Sequence, residues 1–144
     1  MKLDLDKLAA VTAAIIGGMA VFAGGKVLLG IDPGYYVINW VPVYNYTVGL
    51  LTVFITAILI WRGSKLALPL AIATISAHGV VMIILQTVFR EVVASESIKA
   101  MIMRLSVWSI ILVLMLVQRA RTTTRQKSGQ PRPYTKEGQS RPLV

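Results

Sequence analysis

Ile98–Val117 reads IKAMIMRLSVWSIILVLMLV. At a rise of about 1.5 Å per residue, such a run extends about 30 Å as a helix, the thickness of a bilayer's hydrocarbon core. Its composition is that of a membrane span, interrupted at Arg104 by a charge. Ionisable groups within spans are costly and mark function by default. The run therefore decides both the fold class and the first candidate site residue.

Three further apolar runs precede it. Spans are expected at about 8–29, 44–61, 66–89 and 97–117, the last capped by Ser95 or Ser97. Pro69 falls in the first turn of the third span, where its missing N–H costs little. Arg62-Gly63-Ser64-Lys65 makes a short turn, so spans two and three are expected as antiparallel neighbours. The expected fold is an all-α integral membrane protein, a four-transmembrane-helix bundle (1–118) followed by a disordered basic tail (119–144). In the first span Ala10, Ala14 and Gly18 form one line of small residues, with Ala13, Gly17 and Gly24 close by. Small residues at helical spacing let membrane helices approach closely. Asp4 and Asp6 argue against reading the N-terminus as a cleaved signal peptide.

Of the 144 residues, 56% are hydrophobic and none is cysteine, with a mean hydropathy of +0.69. The absence of cysteine removes disulfides, thiolate metal sites and thiol catalysis. Gly17-Gly18 and Gly24-Gly25 lie in a span rather than between a strand and a helix, so no phosphate loop is present. No nucleophile–base pair or paired acids stand out, and a catalytic activity of its own is not expected. No internal repeat supports a transporter of inverted halves.

Lys2, Lys7, Arg62, Lys65 and the tail cluster at one set of span ends, and by the positive-inside rule both termini are cytoplasmic. The expected location is the plasma membrane, multi-pass. The tail carries seven basic residues against Glu137, six of the nine net positive charges. Anionic lipid headgroups are its expected partners. Nucleic acid is not, because no aromatic binding platform accompanies the charge. The opposite connection, GIDPGYYVINWVPV (30–43), holds a turn signature at Asp32-Pro33-Gly34, and with Tyr44 and Tyr46 just beyond it forms an interfacial aromatic belt. Asn39-Trp40-Val41-Pro42 is expected as a short helix lying flat on the membrane, with Trp40 a candidate contact.

Arg104 lies seven residues beyond Ser97, roughly 10 Å inside the span. Ser97, Ala100 and Trp108 share its helical face; Lys99 does not. Its anionic partner is sought in Glu91, Asp32 or another molecule. His78, the single histidine, is about 16 Å from Phe89 along the third span. Gln86 and Asn45 extend a polar strip toward the outer side. One histidine and no cysteine do not make a metal site. A quinone, or a haem with a ligand from a second chain, are the cofactors to which His78 points.

Two functional readings follow. The first is an accessory or assembly subunit of a larger membrane complex, partnered by other subunits or by copies of itself. The second is a ligand-handling protein, a quinone-linked redox component or small-anion carrier, using Arg104 and His78 with Asn45 and Gln86. The orientation is testable because no native cysteine interferes. In intact cells a membrane-impermeant maleimide should label Asp32→Cys, and should reach Lys65→Cys only after permeabilisation.

Overall fold

The computed structural model describes residues 4–128, with side chains through Thr124. Four helices run through it: α1 (Leu5–Leu28), α2 (Val41–Trp61), α3 (Ala67–Thr87) and α4 (Ser95–Ser128). Each is long and apolar enough to cross a membrane, and no strand occurs among the described residues. Residues 129–144, most of the basic tail, lie outside the described residues.

The ends follow local chemistry. Asp4 caps α1, its Oδ1 accepting from the N–H groups of Asp6 and Lys7. Gly30 and Gly63 close α1 and α2 at positive φ of 81° and 63°. In each case the following residue donates back into the last turn, Ile31 to Lys26 and Ser64 to Leu59. Asp32 Oδ1 accepts from Gly34 N at 2.8 Å, which makes the expected turn.

Three expectations need correcting. Val41 and Pro42 form the first turn of α2, with Trp40 at its N-cap, so 39–42 is the entry to a span rather than a separate flat helix. Ser95 is the first residue of α4 and its hydroxyl donates to Glu96, so it does not cap the helix. Finally, α4 continues ten residues past Gln118, so the basic segment begins as helix; Thr122, Thr123 and Thr124 back-bond to carbonyls of the preceding turn. A further feature has no sequence signal: α2 contains a π turn at Thr52–Thr56, without glycine or proline inside it.

Helix packing is set by α1 and α2. A Cβ at Gly49 would lie 2.8 Å from the carbonyl oxygen of Gly17, and one at Gly24 would lie 2.7 Å from that of Pro42. The two backbones are in contact, which only glycine permits. Gly17 and Gly24 are thus set against α2 and Ala10 and Ala13 are buried as well, whereas Gly18 faces open space. α2 and α3 meet along Thr52–Trp61, because the first half of α2 follows α1 instead.

Buried apolar side chains form two clusters. One, near the chain termini, joins Ala9, Ala13, Ile60, Ala71, Trp108 and Ile111. The other, beneath the 30–40 connection, joins Ile38, Val41, Val81, Leu85 and Met101. Between them on three helices lie the buried polar residues Thr52, Thr56, His78 and Arg104. Large apolar side chains point outward instead: Ile15, Phe22, Ile83, Val88 and Val113 are all more than half exposed. In water so continuous an apolar surface is a liability.

Gly49→Ala should overpack the α1–α2 contact and cost about 1–3 kcal/mol. Gly18→Ala should cost nothing, since no atom lies within 4 Å. Thermal unfolding of both variants in one detergent checks the pair.

Candidate functional site

Arg104 is 7% exposed. Its side chain leaves α4 toward that helix's N-terminus, as helical side chains do, and Nη1 donates to Asn45 Oδ1 on α2 at 2.6 Å. No carboxylate lies within 4.0 Å of it among the described residues; the single ion pair there is Lys7–Asp4, at 3.9 Å near the N-terminus. The expected partners are engaged elsewhere or exposed: Asp32 holds its own turn, and Glu91 is exposed. Arg104 is met inside the fold by a neutral amide.

Beside this pair is a cavity of about 70 Å³. Gly24 and Val27 of α1, Tyr35 of the connection, Asn45, and Ser97 and Arg104 of α4 line it. It exists because α2 leans on α1: near Val41–Val48 only side chains carry α2 across to α3 and α4. Ala100 lines the cavity as well, as expected for the face it shares with Ser97 and Arg104. Trp108, farther along that face, is buried in the core near the termini.

The second pair is Tyr44 and His78. The phenol oxygen is 2.7 Å from Nδ1 of the imidazole, and the rings meet edge to face at 5.7 Å. With neutral histidine, the Tyr44 hydroxyl donates to Nδ1, leaving the proton of the ring on Nε2. Tyr44 and Asn45 are consecutive, so one turn of α2 ties both α3 and α4. Trp40 packs on Tyr44 and on Phe89, each at 6.3 Å between ring centroids.

Of the sequence candidates, the fold brings Asn45 to Arg104 and sets Trp40 over Tyr44. It leaves Gln86 outside: that side chain is exposed and reaches only Met82 Sδ, at 3.8 Å. Its position about 80° around α3 from His78 is enough to turn it away. By sequence, Tyr44 and Tyr35 belong with the interfacial aromatics of the 30–46 stretch. Nothing in their spacing distinguishes a tyrosine that bonds a histidine on another helix from one at a headgroup. Among the described residues, no three His, Asp or Glu side chains gather as a metal site. The chain matches no known family model, no characterised protein and no solved structure.

Tyr44→Phe should lower stability by about 1 kcal/mol, the usual worth of a buried interhelical hydrogen bond. Gln86→Leu should leave stability within about 0.5 kcal/mol of the parent. Unfolding midpoints in mild detergent compare the two.

Proposed function

We propose that this is a multi-pass membrane protein that handles a small anionic ligand at Arg104. The observation that carries the reading is a nearly buried guanidinium that lines a cavity and has only a neutral amide for company. An uncompensated charge away from water costs several kcal/mol. A fold that needed only a helix–helix link there would do as well with an apolar side chain, which often replaces a buried charge at no loss. Retaining arginine makes sense where an anion arrives to meet it. The outward apolar faces support a bundle in lipid, and the basic residues at the opposite end favour a cavity turned toward the outer side.

A quinone at His78 has less support, since Nδ1 is already engaged by Tyr44. The accessory-subunit reading loses one of its arguments, because the small-residue line of α1 is used within the bundle. It keeps another in the helical extension of α4, where Arg119 and Arg121 are exposed. A stoichiometric partner recovered with the full chain, and lost on truncation after Gln118, is the signature of that second reading.

The test of the first is a thermal-shift panel of chloride, carboxylates, sulfate and phosphate on the purified protein. At least one anion should raise the melting temperature of the parent, and none should raise that of Arg104→Leu. The variant should fold, because leucine suits the apolar surroundings. A parent protein indifferent to every anion would sink the reading.

A further inference from the structure

We infer that the group received beside Arg104 is a single phosphate-type oxyanion, presented by a lipid headgroup or as free phosphate. The inference deepens the anion reading and rests on it.

Its basis is a count of donors. Arginine has five N–H donors and no acceptor, so the atom of Asn45 that faces Nη1 at 2.6 Å must be the oxygen. One lone pair of that oxygen is thereby used, and the donors that the amide has to offer are the two N–H bonds of Nδ2. Arg104 keeps four more. Tyr35 and Ser97, which also line the cavity, each add a hydroxyl able to donate. No acid lines it. Four donor-bearing side chains with no carboxylate favour a ligand that only accepts and carries negative charge. A phosphate, with three or four oxygens spread around one centre, answers such a set more fully than the two coplanar oxygens of a carboxylate. Arginine's planar fork matches phosphate in two-point fashion.

Size sets the other limit. A water needs about 10–15 Å³ of such space, so about 70 Å³ accepts one phosphate-sized group and no sugar or base attached to it. Anything larger carrying the phosphate must keep its body outside. The cavity is bordered by Val27 at the end of α1 and by Ser97 in the first turn of α4, where headgroups of a surrounding bilayer lie. A lipid phosphate monoester and free phosphate are thus the two sources of one chemistry.

Asn45→Asp separates this inference from the reading beneath it. The carboxylate is nearly isosteric with the amide and would stand within hydrogen-bond reach of Arg104, supplying from inside the counter-ion that a ligand supplies from outside. The parent and this variant are compared in detergent with inorganic phosphate, and in nanodiscs of phosphatidylcholine with or without phosphatidic acid. Melting temperature and phosphorus NMR are the readouts. The parent should be stabilised by phosphate or by phosphatidic acid. Asn45→Asp should melt no lower than the parent without ligand, yet bind phosphate at least tenfold more weakly. Stabilisation confined to phosphatidic acid discs assigns the lipid, and stabilisation by inorganic phosphate in detergent assigns the free ion. Equal phosphate binding by Asn45→Asp overturns the inference. So does a parent stabilised through Arg104 by chloride or acetate but not by phosphate, although the broader anion reading then survives. If no anion acts on the parent, both fall together.

Discussion

The backbones of α1 and α2 touch at Gly17, Gly24 and Gly49, and the remaining arrangement depends on that approach. Helices apolar enough to span a membrane gain little from one another by burial from water there, and close packing with interhelical hydrogen bonds is what holds such helices together. Glycine makes the first possible by removing the side chain that would keep the backbones apart. Commitment of α2 to α1 has a geometric consequence on its other side. There the gap to α3 and α4 is too wide for small residues and is bridged by long polar ones, Tyr44 to His78 and Asn45 to Arg104. The cavity is what remains beside the second bridge, where α1, α2 and α4 do not close on one another.

The polar layer also lies where hydrogen bonds count most. It sits between two apolar clusters, so water does not compete freely for its donors and acceptors. Each bond defines a pairing of helices that apolar contacts alone would leave open to sliding. Arg104 is the exception to this purely structural account. Its link to Asn45 satisfies one N–H and does nothing to neutralise the charge, whereas hydroxyl and amide groups in the same layer carry none. Tyr44 with His78 has the properties of a strut, and Arg104 those of a charge without an internal counter-ion.

Four helices long and apolar enough to span a membrane were legible from the run lengths alone, because a bilayer demands about 20 apolar residues and the chain supplies them four times. Their boundaries shifted by a few residues where caps intervened, as at Asp4 and at the Trp40–Pro42 entry to α2. The π turn at Thr52–Thr56 was not legible, since its residues are compatible with ordinary helix. Nor was the continuation of α4 through a segment whose charge and composition suggest disorder. In the site, Arg104, His78 and Asn45 were visible as polar residues at depth. Gln86 was visible too, yet it faces outward, because depth along a helix says nothing of the direction around it.

Sequence by itself determined that this chain makes four apolar helices with an arginine and a histidine inside them. Hydrophobic run length and the cost of buried charge are local properties, readable one helix at a time. It also determined which small residues could allow close approach, though not which of two neighbouring lines on α1 would be used. Only the tertiary structure decided that Gly17 and Gly24 meet α2 while Gly18 faces outward. Only it decided that Arg104 meets an amide rather than a carboxylate, and that Tyr44 belongs to His78. Those outcomes depend on the rotation of each helix about its axis. That rotation is fixed by packing among residues as far apart in the chain as Asn45 and Arg104, and no single segment records it.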